Sequence, residues 1–82
     1  MNLDKIDNIF FIGIGGMGMS SLAEYFINEN KYVCGYDRDA SENTDRLQKL
    51  GIEILFKDSF EADSIPYNIL QQPAFFIIFS SS

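Results

Sequence analysis

The chain has 82 residues, of which 46% are hydrophobic, and this length and composition predict one small domain over residues 1–82. Its formal net charge is −6, which argues against nucleic acid as a partner, because such binding depends on clustered lysine and arginine. With no histidine and one cysteine, Cys34, which we expect in the core, the sequence predicts neither a metal site nor an internal disulfide. The apolar runs are too short to span a bilayer and the first residues do not resemble a cleavable signal, so we expect a cytosolic protein without a membrane partner.

The first part of the chain predicts a strand followed by a helix. Residues 8–12 are continuously apolar, which is typical of a strand covered on both faces. The helix is predicted to end near residues 28–30, where Asn30 can take the left-handed conformation found at helix C-termini. Five residues are predicted to form its core face: Met19, Leu22, Ala23, Phe26 and Ile27.

The middle of the chain repeats this pattern. A second strand is predicted over residues 31–36, and the charged residues that follow should stop it. Ser41 is a suitable N-cap for a second helix. The core side of this helix would carry Leu47 and Leu50, and Gly51 would end it.

The last third of the chain gives shorter patterns. Residues 53–56 predict a third strand, and residues 58–61 resemble a capping box that opens a helical turn ended by Pro66. Residues 67–73 show no clear period, and we expect a loop or an irregular helix there. Residues 74–79 are apolar throughout and predict a fourth strand.

This alternation predicts an α/β fold, a Rossmann-like parallel sheet of about four strands flanked by helices, in the order 3-2-1-4. The first and fourth strands would be neighbours where the winding reverses, so the segments that follow them should meet at one crevice. The fourth strand would also be an apolar sheet edge, which natural proteins normally cover. We therefore expect a truncated part of a longer protein, with dimerisation through residues 75–79 as the alternative.

Residues 9–20 read IFFIGIGGMGMS, an apolar strand that leads into the motif G-x-G-x-x-G and then into a helix. This order predicts that Gly13 makes a tight turn, Gly15 lets a ligand approach the backbone and Gly18 lets the helix pack closely on the sheet. The unpaired N–H groups of the first helical turn favour an anion, and a diphosphate suits such a place. Asp37 lies at the distance where a Rossmann-fold acid binds ribose hydroxyls, so an NAD-binding domain is one alternative. An interaction module without a ligand is another.

Longer stretches of the sequence resemble the Mur ligases. Residues 11–20, followed by Leu-Ala-Glu at 22–24, are similar to the N-terminal signature of that family. The later order agrees as well, with VCGYD at residues 33–37, Thr44 and Leu47 in the next helix, Leu50-Gly51 after it, and Ser80-Ser81 after an apolar strand. The resemblance is closest to the members that join L-alanine to UDP-N-acetylmuramate.

The resemblance implies a cytoplasmic enzyme of peptidoglycan synthesis with three domains. Such enzymes use ATP and magnesium to activate a carboxylate of UDP-N-acetylmuramate as an acyl phosphate, which L-alanine then attacks. Their N-terminal domain binds the UDP portion of the substrate. Carried over to this chain, the diphosphate would contact the backbone of Gly13, Ile14, Gly15, Gly16, Met17, Gly18 and Met19, and the uridine side would be lined by Asp37, Ser80 and Ser81.

Three features depart from the family pattern. Lys57 and Asp58 stand where the family usually has Gly-His after the third strand, so no ligand contact is carried over to that position. Residues 67–72 resemble an insertion. The sequence contains no G-x-x-x-x-G-K-[ST] phosphate loop. We therefore expect no cofactor and no catalytic residue in this chain, and the ATP and magnesium would act elsewhere in the complete ligase.

Overall fold

A computed structural model describes residues 7–61, 65, 71 and 75–79. Strands and helices alternate along the chain as β1 (Asn8–Ile12), α1 (Met17–Asn28), β2 (Tyr32–Asp37), α2 (Glu42–Lys49), β3 (Glu53–Phe56) and β4 (Phe75–Phe79). The four strands form a parallel sheet in the order β3-β2-β1-β4. The predicted α/β fold and its strand order are therefore confirmed.

The central strand β1 is covered on both faces of the sheet, as its continuous apolar sequence predicts. Because successive side chains of a strand point to opposite faces, Ile9 and Phe11 lie on one face and Phe10 lies on the other. All three are fully buried. In the neighbouring strands, Phe10 is paired with Cys34 and with Ile77.

The two helices cover the first face of the sheet. Ala23 and Phe26 of α1 and Leu47 of α2 pack with Ile9 and Phe11 in one apolar cluster. Each helix therefore contributes its apolar side to the core, which is the main source of stability for helices this short.

Aromatic residues dominate the second face. Phe10, Cys34 and Tyr36 are buried together, and Phe60 and Ile65, which follow β3, pack against them. The Phe60 ring centroid lies 6.0 Å from that of Phe10 and 5.3 Å from that of Tyr36. The Tyr36 hydroxyl donates to the carbonyl of residue 57 at 2.9 Å, which satisfies its polar end. Cys34 is thus a core residue, as predicted.

Both helices end in the same hydrogen-bonded motif. Asn30, with φ of 63°, and Gly51, with φ of 96°, adopt the left-handed conformation one residue beyond each C-cap. The next amide then reaches back, from Lys31 to the Phe26 carbonyl and from Ile52 to the Leu47 carbonyl, at 3.1 Å in each case. These are Schellman motifs, which pair carbonyls that a helix end leaves open. Both predicted helix ends are confirmed.

Two residues predicted in the core are exposed. Leu22 is 38% exposed because it lies at the side of α1, towards the cavity described below. Leu50 is 42% exposed because it is the C-cap of α2, where the chain already turns away from the sheet.

Two predicted segments differ from the structure, and a third lies largely outside the described residues. Strand β2 extends to Asp37, which pairs with Phe56 of β3, so this residue is part of the sheet and does not lie beyond it. Residues 58 and 59 form a bend and residues 60 and 61 are irregular, so the predicted helical turn is wrong for these residues. In this conformation the Phe60 ring packs against Phe10 and Tyr36. Most of residues 62–74, including Pro66, lies outside the described residues, so the predicted loop over 67–73 stays a prediction.

Strand β4 is an edge of the sheet among the described strands. Phe76 is 36% exposed and Phe79 is 65% exposed. The predicted apolar edge is therefore present. None of the helices within the described ranges has the length and apolar character that crossing a membrane requires.

Candidate functional site

A tight turn joins β1 to α1, and we call residues 13–18 the glycine loop. Gly13 has φ of 82°, a conformation that favours glycine, as the sequence predicts. The amides of Gly13 and Ile14 both donate to the Tyr36 carbonyl, at 2.8 and 3.0 Å, which ties the turn to β2. The amide of Gly16 donates to the Gly13 carbonyl at 3.1 Å and closes the turn.

The first turn of α1 has open backbone donors. Gly16 is the N-cap, and no side chain caps the helix. The first helical bond runs from the Ser20 amide to the Gly16 carbonyl at 2.8 Å. Within the described ranges, the amides of Met17, Gly18 and Met19 have no hydrogen-bond acceptor, and the first turn holds no acidic residue. This terminus therefore presents three N–H groups and the positive end of a helix dipole.

Gly15 is held from outside the glycine loop by the side chain of Asp37. One carboxylate oxygen of Asp37 accepts from the Gly15 amide at 2.7 Å. The other accepts from the amides of Arg38 at 2.7 Å and Asp39 at 3.3 Å. Asp37 thus joins the end of β2 to the glycine loop.

Position 15 requires glycine because side chains of this protein, and not only a ligand, approach its backbone closely. A β-carbon there would lie 2.7 Å from the Asp37 carboxylate and 2.9 Å from a methyl carbon of Thr44. At Gly18, by contrast, a β-carbon would meet none of the described atoms within 4 Å. The predicted role of Gly18 in close packing of the helix on the sheet is therefore wrong, because the space beside this residue is open.

A cavity of about 1020 Å³ lies at the carboxyl ends of the strands, in front of α1. Its apolar lining side chains come from β1, β4 and α1, and its acidic and hydroxyl side chains come from β2 and the residues after it. The described residues that line it include no lysine or arginine. They are Ile12, Gly13, Gly15, Gly16, Met17, Gly18, Met19, Leu22, Tyr36, Asp37, Asp39, Ser41 and Phe79.

Residues 8–77 match the model of the Mur ligase family, catalytic domain. This match covers most of the chain, from β1 into β4. The chain belongs to the Mur ligase family.

Individual relatives agree with this assignment, and three of them, all UDP-N-acetylmuramate–L-alanine ligases, illustrate the similarity. The protein of Flavobacterium johnsoniae is 50% identical over 83% of this chain and 15% of the relative. That of Flavobacterium psychrophilum is 46% identical over 95% of this chain and 17% of the relative. That of Porphyromonas gingivalis is 54% identical over 61% of this chain and 11% of the relative. The chain thus spans less than a fifth of the length of these Mur ligases.

The structure brings most of the predicted site residues to the cavity. Seven of them line it, namely Gly13, Gly15, Gly16, Met17, Gly18, Met19 and Asp37. Ile14 does not, because its side chain is fully buried in the first core cluster and its amide is bonded to Tyr36. Ser80 and Ser81 lie outside the described residues. Their contacts with a ligand stay predictions.

Several lining residues were not predicted as site residues. Ile12 and Phe79 end two neighbouring strands, so the predicted strand order carried the signal for both. The sequence predicts Ser41 only as a helix cap and Asp39 only as one of the charged residues that end β2. Their place at the cavity depends on how the β2–α2 connection folds over the glycine loop, which no local pattern indicates. Lys57 and Asp58, which depart from the family pattern, are not among the lining residues.

Cys34 is buried in the core and does not line the cavity. Burial raises the pKa of the Cys34 thiol from 9.0 to about 12, and the nearby carboxylate of Glu53 adds to the rise. The thiol is therefore neutral at pH 7 and is a poor nucleophile. No group of three potential metal-ligating side chains occurs in the part of the chain that the structure describes.

Proposed function

We propose that the cavity binds the UDP portion of UDP-N-acetylmuramate, and that the chain is the N-terminal part of a cytoplasmic ligase that adds L-alanine in peptidoglycan synthesis. The relatives named above carry that activity in their names. In this proposal, the ATP and magnesium of the reaction bind to other parts of the complete ligase, and this chain contributes substrate binding.

One observation carries the proposal: the three residues with open backbone donors at the start of α1 all line the cavity. The amides of Met17, Gly18 and Met19 can each donate to a phosphate oxygen. Gly13, Ile14, Gly15 and Gly16 use their amides within the protein. The proposed diphosphate therefore contacts three amides of the first helical turn, fewer than the seven residues that the resemblance implied.

Charge favours a diphosphate on the α1 side of the cavity. Asp37 and Asp39 also line the cavity, and the chain carries a net charge of −6. An anion close to these carboxylates would be repelled. The helix dipole and the three open amides attract it locally. The uncharged nucleoside would then lie beside Asp37 and Ser41, which also line the cavity.

The NAD alternative rests on Asp37, whose carboxylate would bind ribose hydroxyls. In the structure this carboxylate binds the chain's own backbone. Both oxygens of the Asp37 carboxylate accept from backbone amides, one of them in the glycine loop. Asp37 therefore holds the loop in the free protein, and binding of a ribose diol would compete with these bonds. Asp37 by itself is therefore not evidence for NAD, because its carboxylate oxygens already accept hydrogen bonds from the chain's own backbone.

A titration followed by ¹H–¹⁵N NMR tests the proposal. We expect UDP and UDP-N-acetylmuramate to shift the amide signals of Met17, Gly18 and Met19, because these donors change partner from water to phosphate. Uridine, which lacks phosphate, serves as the control and should leave these three signals nearly unchanged. Absence of any shift at millimolar UDP, or tighter binding of NADH than of UDP, would contradict the proposal.

Association through β4 is a second proposal, which the exposure of Phe76 and Phe79 at a sheet edge favours. Pairing of two such edges would cover apolar surface and satisfy open strand backbone. Sedimentation velocity over a range of concentrations tests it. A single monomeric species at every concentration would rule out this dimer and would leave the UDP-binding proposal unaffected.

A further inference from the structure

The peptide group between Gly15 and Gly16 is fixed at both ends by hydrogen bonds. Its carbonyl oxygen, on Gly15, accepts from the side-chain amide of Asn43 at 2.9 Å. Its N–H, on Gly16, donates to the Gly13 carbonyl at 3.1 Å. This peptide leads into Gly16, the N-cap of α1, so its orientation influences where the open amides of the first turn point. Two adjacent glycines otherwise have the greatest backbone freedom in a chain.

Arg46 fixes the orientation of the Asn43 side chain. The Arg46 guanidinium donates to the Asn43 side-chain oxygen at 3.2 Å. Because arginine can only donate, it must meet the oxygen of the amide, and this leaves the NH₂ group to face Gly15. Arg46 is held in turn by Glu24 of α1, with 3.2 Å between the guanidinium nitrogen and the carboxylate. The contacts thus run from α1 through α2 to the glycine loop.

We propose that Asn43 is a positioning residue for the phosphate site, a role that rests on the proposed UDP binding. Asn43 does not line the cavity. It acts through the Gly15 carbonyl by keeping the Gly15–Gly16 peptide in the orientation that aims the amides of Met17, Gly18 and Met19 into the cavity. Preorganised donors bind more tightly because less conformational entropy is lost when the ligand arrives.

Two substitutions separate this hydrogen bond from the stability of α2. Asn43→Ala removes the side chain and improves helix propensity. Asn43→Asp keeps the shape, removes the N–H donor and places an acid in the first turn of α2, where the helix dipole favours it. Neither variant should unfold the helix, and thermal unfolding checks this. Gln48→Ala, on the exposed side of the same helix, is the matched control.

The first measurement needs no ligand. In the full 82-residue chain, ¹⁵N relaxation should give Gly15 and Gly16 order parameters near the rigid value of about 0.85, falling towards about 0.6 in both Asn43 variants. Residues of β1 should not change, and neither should the glycine loop of Gln48→Ala. Unchanged order parameters at Gly15 and Gly16 would overturn the inference, whatever the result with ligand.

The second measurement is the Kd for UDP. Loss of one positioning hydrogen bond should weaken binding by about 2- to 10-fold in both Asn43 variants and not in Gln48→Ala. Weaker binding with a loop as rigid as in the native chain would mean that Asn43 contacts the ligand, which also overturns the inference. A loosened loop together with no UDP binding by the native chain supports the ordering role and contradicts the proposed function instead.

Discussion

The two helices of this domain begin in opposite ways. At the start of α2, the Ser41 hydroxyl accepts from the Thr44 amide and the Thr44 hydroxyl accepts from the Ser41 amide, a reciprocal capping box. Glu42 and Asp45 add negative charge in the first turn. At the start of α1, Gly16 offers no side chain and the first turn holds no acid. Among the described residues, the chain thus satisfies one helix terminus itself and provides no acceptor for the first amides of the other.

The two termini also differ in what holds them. Four consecutive residues, 41–44, build the α2 cap, whereas side chains from β2 and α2 hold the loop before α1 through Asp37 and Asn43. Substitutions that damage one arrangement should therefore leave the other largely intact.

The largest effect is expected for Gly15→Ala. The added methyl would lie 2.7 Å from the Asp37 carboxylate and 2.9 Å from Thr44, which is fully buried and cannot move away easily. We expect the free energy of unfolding, measured with urea, to fall by about 2–3 kcal/mol. Gly18→Ala is the matched control, since nothing lies within 4 Å of its β-carbon. It should stabilise the chain by about 0.5–1 kcal/mol through helix propensity. Equal losses in both variants would contradict the contact at Gly15.

Asp37→Asn should have the next largest effect. The asparagine has the same shape but only one acceptor oxygen, so either the Gly15 amide or the amides of Arg38 and Asp39 must lose their partner. The expected loss in the free energy of unfolding is about 1–2 kcal/mol. Asp39→Asn removes the same charge at an exposed neighbour and should change stability by less than about 0.5 kcal/mol. If the two variants were equally stable, charge alone and not the bond to the loop would be responsible.

Ser41→Ala breaks the α2 cap and should lower the free energy of unfolding by about 1 kcal/mol. Ser21→Ala in α1 is the comparison, because the Ser21 hydroxyl bonds only to the Met17 carbonyl within its own helix. This second change should be close to neutral, since such a bond adds little to a helix. Thermal and urea unfolding measure both, and a Ser41→Ala chain as stable as Ser21→Ala would show that the capping box contributes nothing.

Gly16→Ser and Gly16→Asp would give α1 the kind of start that α2 has. A β-carbon at Gly16 meets its nearest neighbour, the Gly13 carbonyl, at 3.5 Å, so the site accepts a side chain. We expect a gain of only a few tenths of a kcal/mol in stability. UDP binding should weaken, more for aspartate than for serine, because an internal acceptor and a negative charge replace the phosphate. Gly16→Ala adds bulk without an acceptor and should weaken UDP binding least. The reverse order of Kd values would mean that the first turn of α1 is not the phosphate site.

The difference between the termini also explains which features the sequence predicts. A capping box and a Schellman motif use residues that are close together in the chain, so Ser41, Asn30 and Gly51 were correctly placed. The bond from Asp37 to Gly15 and the bond from Asn43 to Gly15 join residues 22 and 28 positions apart. No local pattern contains that information. The glycine motif therefore predicted an anion site at the cavity but not which of its amides are open.

By itself, the sequence determined the fold of this Mur ligase segment, because buried strands and amphipathic helices have distinct apolar periods and parallel connections allow few arrangements. It also determined that a glycine-rich turn stands at a crevice. Only the tertiary structure decided how that turn is used. It placed Asp37 and Asn43 against Gly15, buried Ile14 and exposed Leu22. It also left the amides of Met17, Gly18 and Met19 without an acceptor among the described residues. The reason is physical: an amide is available to a ligand only when no other part of the folded chain has already accepted its hydrogen bond.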